Sequence, residues 1–257
     1  MKYREEWFND DDFWEKYTPI IFNESRLAEV PEVADGVTRL ARFDLYKRKK
    51  QKPGPSVLDL CCGPGRISLE LSRRGFAVTG VDITEKYLET ARKIASREKL
   101  EIDFIQKDVR NYKKKNIFDL AVNLYNSFGY FADPEDDLYL ACNAFQSLKE
   151  GGSFIIDVMG KEIAVRDYTE ADWFEIAGYT FLTESNPVDS YGSMWNRWVL
   201  IKDGERREKI YIQRLYAASE LRSLLLKAGF TSVEMYGNWD ESPYDEKAQT
   251  LIAVGRK

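Results

Sequence analysis

Residues 56–84 read SVLDLCCGPGRISLELSRRGFAVTGVDIT. Two short apolar, β-branched runs, SVLDLC and FAVTGVD, flank a segment of helical character. Runs of that length, bounded by glycine, fit strands buried on both faces. Gly63 and Gly65 follow the first run directly, where a missing Cβ permits positive φ and close approach of a ligand to the backbone. Gly75 stands where a C-cap glycine belongs. The stretch therefore predicts strand, glycine loop, helix and strand, the opening unit of a parallel α/β sheet with a small-molecule site at the loop.

The pattern continues downstream. TEKYLETARKIASREK predicts a helix with Thr84 as N-cap, and EIDFIQKD (101–108) and IFDLAVNLY (117–125) predict two strands. DPEDDLYLACNAFQSLKEGG predicts a helix capped by Asp133, with Pro134 at N1, acids in the first turn and Gly151 and Gly152 as its stop. SFIIDVM (153–159) is a fifth strand. Right-handed crossovers gather the C-terminal strand ends along one edge, so Gly63, Asp82, Asp108 and Asn123 are expected on one rim. Over residues 161–216 the period changes to aromatic and β-branched alternation, and KDGE carries a hairpin signal. An antiparallel excursion of roughly three strands is expected there. A helix from Ser219 to Gly229 and two last strands close the chain, while the first forty residues read as one or two helices broken at Tyr17-Thr18-Pro19. The division expected is a helical lid (1–50), an α/β core (51–160 with 217–257) and a β-rich insertion (161–216).

Composition narrows the chemistry. The 257 residues carry a net charge of −5, and 44% are hydrophobic. An acidic chain has no field for drawing in nucleic acid, and residues 47–52 and 113–115 are short basic stretches that read as solvated. No run approaches the roughly 18 apolar residues of a membrane span, and the charged, aromatic N-terminus has no secretory h-region. Cys61, Cys62 and Cys142 are no disulfide framework, so a reducing cytoplasm is the expected compartment. Histidine is absent, which removes a histidine base, a histidine-ligated metal and a Ser-His-Asp triad; no metal site is expected.

The series VLDLCCGPGR, VTGVDIT, FIQKDVRNY, FDLAVNLYNSFGYF and LKEGGSFIIDV resembles the class I S-adenosylmethionine-dependent methyltransferases, in particular their small-molecule branch. The tail from Ser219 resembles the closing helix and antiparallel strand pair of that family, and residues 161–216 the β-rich lid of some members. The resemblance implies a Rossmann-like, seven-stranded, mostly parallel sheet with the last strand antiparallel. It implies that Asp59, Cys61, Gly63 and Gly65 hold the amino-acid end of S-adenosylmethionine and that Asp82 takes both ribose hydroxyls. Ile83 would pack on adenine, with Asp108 and Val109 beside its amino group, and Asn123, Leu124 and Phe128 would lie near the methionine portion. Tyr17, Tyr125 and Asn126 are the catalytic candidates, at the lid and after the fourth strand. Tyr130, Trp195, Arg197 and Trp239 are the substrate candidates. For Tyr17, Phe128, Tyr125 and Tyr130, plain core or interface packing is the competing reading; for MWNRW (194–198), packing on the sheet or on a second subunit; for Trp239, a structural role.

The implied activity is transfer of a sulfonium methyl to a small molecule through proximity and orientation, by a monomer or homodimer, with S-adenosylhomocysteine as product. Two other functions share the loop. A nicotinamide-dependent oxidoreductase would want a third glycine where Ser68 stands and an N–H where Pro64 has none. A non-catalytic module would keep the loop and bind cofactor or a partner without turnover.

Overall fold

The computed structural model describes residues 6–43 and 54–257. Five strands follow the expected course: β1 (Ser56–Leu60), β2 (Ala77–Asp82), β3 (Ile102–Gln106), β4 (Phe118–Asn123) and β5 (Leu148–Val158). An insertion supplies β6 (Ala171–Ile176), β7 (Tyr179–Val188), β8 (Ser193–Lys202) and β9 (Glu205–Arg214), and β10 (Ser232–Tyr236) and β11 (Leu251–Arg256) close the chain. The large sheet has seven strands in the order β10-β11-β5-β4-β1-β2-β3, and β11 alone runs against its neighbours. This is the Rossmann-like sheet expected, with β4 at its centre and β1 beside it.

Both faces are covered, which is why the inner strands are apolar on both sides. On one face Leu58, Ala121, Phe154 and Ile156 pack under α6 (Pro134–Ser147) and α8 (Ala218–Ala228). On the other, Val57, Val122, Ile155 and Val254 pack under α3 (Val30–Leu40) and α4 (Arg66–Arg73). The helix after β2, α5 (Glu85–Glu98), packs through Leu88 and Ala91 beside Phe104 of β3.

Several boundaries differ from expectation for local reasons. Thr84 is the N-cap of α5, but its side chain makes no cap bond. Helix α6 ends at Ser147 rather than at the glycines. Phe118 pairs with Leu148 but Leu120 with Ser153, so the extra residues bulge out of β5 at Gly151, whose φ is +75°. The N-terminal break is not at Pro19. Helix α1 (Asp11–Ile21) runs through it and stops at Phe22, because Phe13, Tyr17 and Ile20 bury one face, and a proline this late forfeits a single backbone bond. A short α2 (Glu24–Ala28) then starts from Asn23, whose side chain accepts from Arg26 N. Of the expected lid, residues 1–5 and 44–50 lie outside the described residues, as does the basic stretch 47–52.

The insertion holds four antiparallel strands, ordered β6-β7-β8-β9, after a six-residue helix α7 (Lys161–Arg166) too short to show a period in sequence. The KDGE turn joins β8 to β9 with Asp203 and Gly204 both at positive φ, 50° and 81°, the twist a two-residue hairpin needs. Phe181, Trp198 and Tyr211 share its inner face and join the large core.

A buried carboxylate ties the insertion to the main sheet. Asp137 of α6 is fully buried and accepts from Arg214 Nη1 (2.7 Å), Tyr216 Oη (2.7 Å) and Gly129 N (3.2 Å). Arg214 N in turn donates to Gly129 O at 2.8 Å. The segment after β4 is therefore held by both layers.

Candidate active site

β1 and β2 end side by side, with Leu60 paired to Val81. The chain leaves β1 through a turn in which Cys61, Gly63 and Gly65 all have positive φ, 60°, 55° and 79°. Gly65 has no room for more: an added Cβ would lie 2.9 Å from Ala91 Cβ and 3.1 Å from Phe104. Cys61 adopts the left-handed region with a side chain, at a cost of about 1–2 kcal/mol, a strain of the kind found where a loop is shaped for a ligand.

Asp82, at the end of β2, organises this turn. Its Oδ2 accepts from Gly63 N at 2.7 Å and its Oδ1 from Thr84 N at 2.9 Å. Burial pushes its pKa up despite these bonds. Asp59 lies beneath the turn, not on its rim: Ser68 Oγ donates to it at 2.6 Å, fastening β1 to α4. Burial, aided by the charge of Asp82, lifts Asp59 from 3.8 to about 7. Asn123, at the end of β4, donates to Leu60 O at 3.1 Å, while its buried Oδ1 has no partner. Cys61, at the C-terminal end of β1, and Tyr130, after β4, remain half-buried.

After β4 two further non-glycine residues take positive φ, Tyr125 (58°) and Asn126 (63°). Asp157 holds this bend by accepting from Tyr125 N and offering its carbonyl to Asn126 N, each at 3.1 Å. The Tyr125 ring lies under the Arg66 guanidinium at 4.1 Å, its hydroxyl buried without a partner and pushed up to about 12 by burial. Asn126 is spent on the backbone: its Oδ1 accepts from Met159 N, and its carbonyl from Gln213 Nε2 at 2.9 Å.

Helix α1 crosses this edge. Tyr87 Oη donates to Trp14 O at 2.8 Å, Lys209 reaches Asp10 at 2.6 Å, and a Cβ on Gly63 would lie 3.6 Å from Phe22. A cleft of about 590 Å³ between α1, α4 and α5 runs against the loop at Pro64 and is bordered by Phe22, Arg66 and Tyr87.

Several residues stand apart from the roles expected of them. Tyr17 is 2% exposed, and its hydroxyl donates to Trp198 O at 3.0 Å, so it fastens α1 to β8; burial pushes it up to about 12. Both oxygens of Asp108 are taken by Arg110, which also binds Glu6 and Asp136; burial pushes the Asp108 carboxyl up, but the bonds from Arg110 outweigh it and hold it below the usual range. Phe128 is core, 5.6 Å from the Tyr216 ring, and Val109 and Leu124 are likewise packed inside. Ile83 is half-buried and its carbonyl accepts from Gln106. Trp195 and Arg197 lie on the outer face of the insertion, where Arg197 pairs with Glu184 and Glu208, each at 2.9 Å. Trp239 is buried against Gly36 of α3, on the far face of the sheet. Tyr130, the fourth substrate candidate, is half-buried after β4, with its ring 4.6 Å from that of Trp7. Trp7, Phe22, Tyr87 and Tyr211 were not anticipated; the signal for the first was the density of rings in WFNDDDFWEKY, more than one helix face needs.

Residues 57–152 match the family model described as "Methyltransferase domain". These residues carry a methyltransferase domain of the class I, S-adenosylmethionine-dependent kind. The methyltransferase is 25% identical over 204 residues to the ubiquinone biosynthesis O-methyltransferase of Pelagibacter ubique, covering 77% of this chain and 75% of that protein. An S-adenosylmethionine-dependent methyltransferase from Clostridium acetobutylicum shares its fold with a TM-score of 0.74 at 16% identity, over 96% of this chain and 98% of that one. The sugar N-methyltransferase KedS8 from Streptoalloteichus does so at 0.69 and 18%, over 96% and 92%.

The methyltransferase's cofactor is S-adenosylmethionine, and the strand ends suit it. A carboxylate has about four lone-pair positions. Asp82 uses two of them on backbone N–H groups, which leaves two for a vicinal diol. The orphaned Asn123 Oδ1 is an acceptor for an ammonium group, and the positive-φ turn presents backbone rather than bulk. Among the described residues no helix is long and apolar enough to cross a membrane, and no cluster of metal-ligating side chains occurs.

Proposed function

We propose that this methyltransferase acts on a small molecule held between α1, the bend after β4 and the inner face of β8 and β9. When bound, S-adenosylmethionine supplies a methyl on a positive sulfur, an electrophile that needs no activation by the protein. Asp82 would hold its ribose, the turn through Cys61, Gly63 and Gly65 its amino-acid end, and Asn123 its ammonium. The rings of α1 and the inner insertion face exclude water. Orientation of the acceptor by these elements can lower the barrier by about 7–11 kcal/mol.

The observation that carries this reading is Asp82: a buried carboxylate fixed by Gly63 N and Thr84 N with acceptor capacity to spare. The small-molecule reading draws support from the net charge of −5, which gives little overall attraction for a nucleic acid. Similarity to enzymes named for ubiquinone biosynthesis and for a sugar points the same way. The test is transfer of a labelled methyl group to pooled small metabolites, compared with total RNA and protein from the same extract. Label entering the small-molecule fraction supports the reading, and label confined to RNA or protein would overturn it.

A further inference from the structure

The rings between α1, the bend after β4 and the inner face of β9 form one cluster, and one member carries an unanswered polar atom. Trp7, in a 3₁₀ turn before α1, has its ring centroid 4.6 Å from both Tyr130 and Tyr211. Phe13 and Trp14 lie 5.7 Å away. The Trp7 indole is buried, yet its Nε1–H has no partner, whereas Trp14 Nε1 nearby donates to Phe8 O at 2.7 Å. Buried donors in native proteins are almost always answered, by the chain, by water or by a ligand.

The cluster reaches the glycine turn through Trp14 and Tyr87, whose rings lie 6.2 Å apart, and a Cβ on Gly63 would lie 3.9 Å from Tyr87. Tyr130 stays half-buried, and the neighbouring Cys61 and Asp82 add to the burial that raises its hydroxyl pKa. The charges around the cluster are already matched. Lys209 pairs with Asp10, and Arg110 with Asp108, Glu6 and Asp136. What the cluster presents is aromatic surface and the unanswered Trp7 N–H, and the carboxylates of Asp10, Glu6, Asp108 and Asp136 already hold cationic partners.

We propose that the methyl acceptor is a planar, uncharged ring carrying a hydrogen-bond-accepting atom, received by Tyr130 and Tyr211 with Trp7 Nε1–H donating to that atom. This rests on the small-molecule reading above and narrows it. Aromatic faces favour a flat ring, and the buried indole donor selects among flat rings for one with a carbonyl oxygen or ring nitrogen.

Three probes of one outline separate the elements of this site: quinoline, naphthalene and N-methylquinolinium. Calorimetric titration into the protein saturated with S-adenosylhomocysteine should show quinoline binding about tenfold tighter than naphthalene, the span of one neutral hydrogen bond. Quinoline should also outbind the cation. Trp7→Phe should bring quinoline down to the naphthalene level without changing naphthalene. Tyr211→Leu should weaken both. Equal binding of quinoline and naphthalene by the wild-type protein, preference for N-methylquinolinium, or a preference that survives Trp7→Phe would overturn the proposal. The same titrations run without S-adenosylhomocysteine keep the two readings apart. Loss of nucleoside binding alone would strike the cofactor site and leave the ring preference to be judged by itself.

Discussion

Replacing Asp82 with asparagine changes one atom and tests the turn directly. The carboxylate accepts from Gly63 N through one oxygen and from Thr84 N through the other. An amide has a single oxygen, so one of these N–H groups must face an NH₂. The loss is one charge-assisted bond, about 1.5–3 kcal/mol, or roughly 10- to 150-fold in binding if the turn is ordered only with ligand present. Isothermal titration of S-adenosylhomocysteine at pH 8 reads that loss, and thermal denaturation without ligand shows whether the fold survives. The pH dependence gives a second check. Burial raises the Asp82 pKa, so the wild-type carboxylate takes a proton as pH falls through that raised value and affinity declines with it. The asparagine variant has no such proton to take and should be flat across the same range. A folded variant that binds within twofold of wild type, or that keeps the wild-type pH profile, would refute the reasoning.

Asp59→Asn should alter the pH dependence of stability. With its folded pKa raised to about 7, Asp59 makes the native state the better proton binder between pH 4 and 7, so wild-type stability falls as pH rises through that window, by about 4 kcal/mol at most. Melting curves from pH 5 to 8 should be flatter for the variant; parallel curves would exclude the effect. Gly65→Ala places a methyl 2.9 Å from Ala91 Cβ at φ 79° and should cost about 2–4 kcal/mol, seen as a drop in Tm of several degrees. Asp137→Ala strands Arg214 and frees Gly129 N, which should cost about 3–5 kcal/mol in denaturant unfolding and raise the KM for the acceptor more than that for the cofactor.

The central sheet could be read in the sequence because its signals are local. β1, the glycine turn and α4 lie within 18 residues, and each of Gly63, Gly65 and Gly75 marks a backbone requirement that no distant contact alters. Asp82 and Asn123 were placed for the same reason, since a residue that ends a parallel strand lies on the rim whatever surrounds it. The misplacements share the opposite cause. Whether Trp239 meets substrate or Gly36 depends on how a loop 200 residues from α3 folds back. The face of β8 that turns inward was written as an alternation, Trp195 and Arg197 against Asn196 and Trp198, but which side meets α1 is set by the docking of the whole insertion. Pro19 was a misleading break, because the burial of Phe13, Tyr17 and Ile20 outweighs one missing N–H. The pairing of Asp108 with Arg110 spans two residues and lay within reach of a local reading; the carboxylate was given to adenine because the family pattern has an acid there.

The central claim is that a diol-bearing nucleoside sits on Asp82 above the turn at Gly63. A crystal structure of the protein with S-adenosylhomocysteine tests it most directly. The account predicts both ribose hydroxyls within hydrogen-bond distance of the Asp82 carboxylate and the amino-acid end beside Cys61 and Asn123. An adenosyl group bound elsewhere, with Trp7, Phe22 and Tyr130 still closed over the strand ends, would contradict it.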